Sequence, residues 1–192
     1  MNKLKFQHKK MTKMQRLISG FLAVAVLTLA TDLVQAQRRR PPATASLGEM
    51  NCKGINGSTY KVINEDIPIG LEIFRAVAYF GNEPNSSIGL QGRSVQVACR
   101  LAASGEKPKF RTLTLGFGLS DNHKDDTYRK GALVRLSIYK DGNFFEYRDV
   151  TFGQKLVWPI NVTNVRSIAL EAECKRTSQN CPVLYIYQDI LE

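Results

Sequence analysis

The sequence predicts an all-β fold, an antiparallel β-sandwich, and three observations carry that prediction. Short runs in which apolar and polar residues alternate recur along the chain, separated by Gly, Asn, Asp and Pro. Asp141-Gly142, the dipeptide that most readily takes the positive φ angles of a two-residue hairpin turn, stands between two of these runs. No long segment shows convincing helical periodicity. We therefore expect seven or eight short strands after Gly48.

The first 36 residues predict a secretory signal peptide. A basic region that ends at Arg16 precedes an apolar run over 17–30, and Val34 and Ala36 stand at the −3 and −1 positions of a cleavage site. The apolar run is shorter than the ~20 residues of a membrane span. We expect a soluble mature chain that begins at Gln37, is secreted or periplasmic, and has no membrane span after cleavage. The alternative is an uncleaved N-terminal anchor.

Composition divides the mature chain into a leader and one domain. Residues 37–47 contain three consecutive arginines before Pro41-Pro42, which predicts a flexible basic leader. Residues 48–192 contain no linker-like tract and predict a single domain. Loss of residues 1–36 lowers the net charge from +10 to +5, and the remaining basic residues are scattered. We therefore expect no nucleic-acid partner.

The four cysteines fit an oxidising compartment, in which an even number of thiols pairs into disulfides. Three pairings are open. Cys174 and Cys181 are close in sequence, one at the end of a predicted strand and the other at the start of the next, so we expect a bond between them. Cys52 then pairs with Cys99. A zinc site would need a closer cysteine pair or a histidine partner, and the sequence offers neither.

The first half of the domain is the harder half to interpret. Residues 58–63 alternate weakly, and residues 94–101 alternate cleanly enough to predict a half-buried strand. A polar loop covers 81–89. The segment 69–80 fits either a strand or a short helix, because helical spacing is also met at Leu71, Phe74, Val77 and Ala78.

The second half predicts strands with one apolar face each. The inward faces of the first two are expected to carry Leu113, Leu115, Phe117 and Leu119, and then Val134, Leu136 and Ile138. The hairpin turn at Asp141-Gly142 follows. Further strands cover 156–162, where Pro159 requires an edge or a bulge, and 168–174. The last strand, 181–189, places Val183, Tyr185 and Tyr187 on one face and Leu184 and Ile186 on the other.

Three segments in order, 110–121, 134–142 and 160–170, resemble the NPCBM family of carbohydrate-binding modules. They hold the glycine-and-aspartate strand end, the Tyr-x-Asp-Gly hairpin and the Val-Thr-Asn-Val turn. The resemblance covers about 108–192 and implies a jelly-roll sandwich of the galactose-binding-like kind, here as a stand-alone exported relative of a sort associated with cyanobacteria. The chain lacks the family's Gly-x-x-His segment and the His and Trp of its closing strand, so sugar-binding residues do not carry over.

Sugar recognition by a sandwich needs exposed aromatic rings together with side chains that hydrogen-bond to hydroxyl groups. The aromatic candidates of the sequence are Tyr139, Tyr147, Trp158 and Tyr185, with Phe145 and Tyr187 beside them. Most of these are expected to fill the core, and Trp158 is in register with core positions. The polar candidates lie in one loop, at Asp121, Asn122, Asp125 and Asp126.

The same loop is a candidate calcium site. Calcium takes oxygen ligands, and Asp121, Asp125 and Asp126 concentrate carboxylates in one turn. The loop lacks the spacing of a known calcium motif and holds Lys124, so a solvated turn is the competing interpretation. No other cofactor is expected.

The sequence favours a non-catalytic exported module that binds glycans at the cell envelope or outside the cell. A nucleophilic triad lacks its parts, because His123 is the only histidine of the mature chain. A hydrolase that uses two carboxylates, from Asp149, Glu171 or Glu173, is a third hypothesis. The alternative of another class is a structural or protein-interaction sandwich with no carbohydrate site.

Overall fold

The computed structural model of the protein describes residues 44–55, 60–81, 90–91, 94–121, 131–175 and 180–192. These ranges contain thirteen strands and one 3-10 turn, Leu47–Glu49. The strands are β1 (Ala45–Ser46), β2 (Asn51–Ile55), β3 (Tyr60–Ile69), β4 (Glu72–Phe80), β5 (Leu90–Gln91), β6 (Val95–Arg100), β7 (Thr112–Leu119), β8 (Leu133–Lys140), β9 (Asn143–Thr151), β10 (Lys155–Asn161), β11 (Ser167–Cys174), β12 (Asn180–Cys181) and β13 (Leu184–Leu191).

The strands form two antiparallel sheets and a two-stranded ribbon. The six-stranded sheet has the order β10-β7-β13-β4-β3, with β1 paired to the far end of β13. The five-stranded sheet has the order β2-β6-β11-β8-β9, and β12 pairs with β5. The predicted all-β antiparallel fold is confirmed. Residues 1–43, with the predicted signal peptide, lie outside the described ranges, whereas β1 falls inside the range predicted as leader.

The main core lies between the inward faces of the two sheets. The alternation that predicted these faces is confirmed, because every second residue of β7, β8 and β11 is fully buried. These residues are Leu113, Leu115, Phe117, Leu119, Val134, Leu136, Ile138, Ile168, Leu170 and Ala172. Pro159 lies in β10, which is an edge strand, as a residue without a backbone N–H requires.

The Asp141-Gly142 turn joins β8 to β9 as predicted. Its two residues have φ angles of 48° and 83°, which only a turn with two left-handed residues allows. The Asp141 carboxylate also accepts hydrogen bonds from the backbone N–H groups of Arg166 (3.0 Å) and Ser167 (2.8 Å). The turn is therefore fixed to the start of β11 as well as to its own hairpin.

The ambiguous segment 69–80 contains no helix: it holds the end of β3, a turn at Gly70-Leu71 and the strand β4, and β3 and β4 form a long hairpin. β4 pairs with β13 only over Ala78–Phe80. Beyond a register shift in β3, the hairpin leaves the sheet edge and covers the outward face of β13 and β7. A second apolar cluster fills that contact and contains Ile67, Ile69, Ala76, Tyr79, Val183 and Tyr185.

Two glycines of β7 make room for the residues that lie over the sheet. A Cβ at Gly118 would lie 3.0 Å from two carbons of Ile69 and 2.8 Å from the Gln154 carbonyl oxygen. A Cβ at Gly116 would lie within 2.9 Å of the ring of Tyr187, which belongs to the neighbouring strand β13. A side chain at Gly118 would therefore press on the hairpin, and one at Gly116 would displace Tyr187.

Hydrogen bonds hold the hairpin tip against the end of β7. The Asp121 N–H donates to the Pro68 carbonyl (2.9 Å), and the Leu71 N–H donates to the Asp121 carboxylate (3.3 Å). Lys155 of β10 pairs with Glu72 at 2.5 Å. The hairpin thus covers the outward face of the six-stranded sheet over β7 and β13, whereas Val157 of β10 is 58% exposed.

One of the two predicted disulfides is present: Cys52 of β2 is bonded to Cys99 of β6. The two residues are direct partners in the β2–β6 register. The side chain of Cys181 lies outside the described residues, so the Cys174–Cys181 bond stays a prediction. Among the described residues, no helix is long and apolar enough to span a bilayer.

Candidate functional site

The outward side of the five-stranded sheet is here named the open face, and none of the described residues forms a hairpin over it like the one on the other sheet. Its side chains come from alternate positions of β6, β8, β9 and β11. Ser137 at its centre is in register with Tyr147 on one side and Glu171 on the other, and Glu171 is in register with Gln96. Four strands that are distant in sequence therefore contribute to one row of side chains.

Glu171 is the hub of a hydrogen-bonded row on the open face. The Tyr139 hydroxyl donates to Glu171 Oε2 at 2.6 Å, and Gln96 Nε2 donates to Oε1 at 2.6 Å. Burial opposes ionisation of Glu171, but the hydrogen bonds from Tyr139, Gln96 and Ser94 outweigh it and lower the pKa of the carboxyl group. The same contact raises the pKa of Tyr139. Glu171 is therefore a fixed carboxylate at neutral pH.

An ion pair borders this row on the β9 side. Arg135 Nε and Nη2 each lie 2.8 Å from one Asp149 oxygen, in the bidentate geometry that matches a guanidinium to a carboxylate. The hydrogen bonds from Arg135 lower the pKa of Asp149. The guanidinium carbon also lies 3.7 Å from the centroid of the Tyr147 ring. Stacking and the ion pair together fix the orientation of Tyr147.

Exposed aromatic rings complete the open face. Phe144 is 58% exposed and Tyr147 is 42% exposed. The Phe144 ring meets Tyr139 edge-on, with 5.8 Å between centroids. A bulge opposite Ile138 and Tyr139 sets Phe145 outside the regular pairing, and its ring lies under the Lys140 ammonium group. Rings beside oriented hydrogen-bonding groups form a surface suited to a ligand with an apolar ring face and hydroxyl groups.

Comparison with known proteins identifies the fold. No family model and no curated protein matches the sequence. Solved structures do match. The chain is similar to the CBM51 module of Clostridium perfringens GH95 in complex with methyl-galactose, with 9% identity and a TM-score of 0.55 over 78% of this chain and 99% of that one. The fold is that of a carbohydrate-binding module.

Two further structures contain the same type of module within longer chains. One holds the M60 catalytic domain with the CBM51-1 and CBM51-2 domains of Clostridium perfringens ZmpB, with 12% identity and a TM-score of 0.54 over 77% of this chain and 15% of that one. The other holds CBM51-2 in complex with GlcNAc and INT domains of ZmpB, with 10% identity and a TM-score of 0.52 over 78% of this chain and 31% of that one. At identities this low, the structural similarity establishes the β-sandwich fold alone. The ligand has to be argued from the residues of this chain.

The open face brings together two of the predicted site residues, Tyr139 and Tyr147. Trp158 and Tyr185 are only 5% and 7% exposed, in the main core and under the hairpin respectively, so we do not include them in the site. Asp121 lies at the end of β7, where it holds the hairpin tip.

The remaining loop candidates, Asn122, Asp125 and Asp126, lie outside the described residues. The described ranges contain no group of three or more metal-ligating side chains. Calcium binding by the 121–126 loop stays a prediction.

Sequence reasoning missed the partners that orient these tyrosines. Gln96 and Glu171 are 75 residues apart, and their contact depends on the β6–β11 register rather than on any local pattern. The pairing of Arg135 with Asp149 can be derived from the sequence. Counting outward from the Asp141-Gly142 turn with one bulged residue places them opposite each other.

Proposed function

We propose that this protein is a secreted or periplasmic, non-catalytic module that binds glycans on its open face. The observation that carries the proposal is the combination, on one sheet face, of the exposed rings of Phe144 and Tyr147 with the fixed acceptors of Glu171 and Asp149. The fold shared with carbohydrate-binding modules supports it. A sugar ring would stack on the aromatic rings and donate its hydroxyl hydrogens to the carboxylates.

The electrostatics of the open face favour binding over hydrolysis. A glycosidase needs one carboxyl group whose pKa is raised, so that it stays protonated and acts as general acid. The pKa values of Asp149 and Glu171 are both lowered by the hydrogen bonds they accept. The pair therefore offers hydrogen-bond acceptors and no proton donor.

A glycan array followed by calorimetry tests the proposal. We expect Tyr147→Ala and Phe144→Ala to weaken binding of the best array ligand by about tenfold each, because each removes a stacking surface. The matched control is Val157→Ala, which shortens a side chain that is 58% exposed on the other sheet. Binding that is unaffected by both aromatic substitutions would place the ligand elsewhere, and a blank array, with and without calcium, would refute glycan binding.

The second candidate function is a protein-interaction module. It is favoured by β9, which carries Phe144 and Tyr147 and, among the described strands, pairs on one side only, with β8. The other side of an edge strand can pair with another chain. A blank array together with a protein partner whose binding is lost in Tyr147→Ala would support this function instead.

A further inference from the structure

Glu171 sets the charge at the centre of the open face. Arg135 is paired with Asp149, and Glu173 is paired with Lys175 at 2.7 Å. Glu171 makes no ion pair with any residue that the structure describes; its hydrogen-bond donors are a phenol, an amide and a hydroxyl group, all of them uncharged. The centre of the open face therefore holds one negative charge that no direct contact compensates.

Glu171 also retains capacity to accept hydrogen bonds. A carboxylate has four acceptor sites, and Tyr139 and Gln96 use one on each oxygen. Ser94 also donates a hydrogen bond to this carboxylate, so one acceptor site is left for a ligand. Hydrogen bonds that O–H or N–H groups donate to a carboxylate are among the strongest in proteins. A donor on a sugar ring can thus bind Glu171 directly.

We infer that the open face selects its glycans by charge: it takes neutral and amino sugars, which donate a hydrogen bond to Glu171, and rejects sugars that carry a carboxylate. The inference rests on the proposed glycan-binding function. A ligand carboxylate at this position would face Glu171 in a half-buried setting, where water and salt screen like charges less than at an open surface.

Two further basic residues on the same side of the sheet do not cancel the repulsion between Glu171 and a ligand carboxylate. Lys53 of β2 and Arg100 of β6 lie in other rows of the register than Glu171. Both are exposed, and neither forms an ion pair with Glu171. Their fields are screened by solvent, whereas Glu171 would touch the ligand directly.

Calorimetry with matched sugars tests the selection. The probes are galactose and glucose, their 2-amino forms and their uronic acids, titrated at neutral pH and low salt. We expect the amino sugar to bind about tenfold or more tightly than the uronic acid of the same series, because the two differ in the sign of a charge placed beside Glu171. In Glu171→Gln the side-chain volume is kept and the charge is lost, so the ratio should fall to about twofold or less.

Glu173→Gln is the matched control, because Glu173 lies two positions along the same strand and already has Lys175 as partner. It should leave the ratio unchanged. Equal binding of amino sugar and uronic acid by the native protein, or an unchanged ratio in Glu171→Gln, overturns the inference.

The same titrations separate this failure from failure of the proposed function. Sugar binding that Tyr147→Ala weakens upholds the glycan site even when charge selection fails. Absence of binding by every probe removes both. Thermal melts of each variant confirm that the fold is intact.

Discussion

At the scale of single residues, Asp189 shows how one carboxylate organises the start of the described chain. Its Oδ2 accepts hydrogen bonds from the Ser46 hydroxyl (2.6 Å), the Gly48 N–H (3.0 Å) and the Tyr60 hydroxyl (3.2 Å). Asp189 is only 4% exposed. Burial, together with the neighbouring Asp189 charge, raises the pKa of Tyr60 far above its usual range. The residue therefore ties β1, the 3-10 turn and β3 to the end of β13.

We expect Asp189→Ala to lower the free energy of unfolding by about 3 kcal/mol, because one buried donor and two partly buried donors lose their acceptor. Urea denaturation measures the change. The control is Asp66→Ala, which removes the exposed Arg75 partner on the hairpin and should cost within about 0.5 kcal/mol. Similar losses in the two variants would show that Asp189 is not a structural anchor.

At the scale of secondary-structure elements, the β3–β4 hairpin makes the two sheets unequal. Ile69 rests on Gly118, and Phe74 packs against Tyr187 with ring centroids 4.6 Å apart. The hairpin converts one sheet face into a second buried layer. No described residue forms a comparable layer over the outward side chains of the other sheet.

Gly118→Ala is expected to lower the free energy of unfolding by about 2 kcal/mol, because its Cβ would press on Ile69 and on the Gln154 carbonyl. The amide of Asp121, which donates to Pro68 at the hairpin tip, should lose protection from hydrogen exchange. The backbone amides of β8, in the five-stranded sheet, are the control and should keep their protection from hydrogen exchange. An Asp121 amide that stays as protected as in the native protein would contradict this role for Gly118.

Elements with local signals could be predicted from the sequence. The β8–β9 hairpin is specified by Asp141-Gly142, whose φ angles follow from the residue types. The segment 69–80 is ambiguous in the sequence because the end of β4 is buried on both sides: Ala78 and Phe80 face the main core, and Tyr79 faces the second apolar cluster. Its apolar residues therefore lack a clean period of two. β2 was missed because its residues are mostly exposed and do not alternate.

Residues of the candidate site could be predicted only where the alternation of inward and outward side chains along a strand places them on the outer face. Tyr139 and Tyr147 could be proposed because they lie opposite the inward residues of a clear hairpin. Glu171 looked like an ordinary solvent-facing residue, since its contacts with Gln96 and Tyr139 arise from pairing with strands remote in sequence. Tyr185 is buried by the β3–β4 hairpin, and no local pattern around Tyr185 predicts that contact.

At the scale of the whole molecule, a disulfide secures one edge of the five-stranded sheet. β2 is an edge strand with mostly exposed side chains, and Cys52–Cys99 bonds it to β6. The bond closes a segment with a sequence separation of 47 residues. This segment includes β3 and β4, so the bond links the two sheets through the chain as well as two neighbouring strands directly.

We expect the double substitution Cys52→Ala and Cys99→Ala to lower the free energy of unfolding by about 3 kcal/mol, because the unfolded chain gains freedom. Denaturation with and without reductant measures it, and the variant should lose most of the native protein's sensitivity to reduction. Unchanged stability would contradict the prediction. Peptide mapping without reductant tests the second bond: a Cys52–Cys174 link would contradict both pairings.

The covered sheet has a consequence for protein engineering. Outward positions of the six-stranded sheet, such as Gly116 and Tyr187, are constrained from both sides, so changes there alter folding. Outward positions of the five-stranded sheet, such as Ser137 and Tyr147, have the main core on one side, and no described hairpin packs on the other side. A combinatorial library confined to that side would explore new ligand preferences while the scaffold beneath it stayed constant.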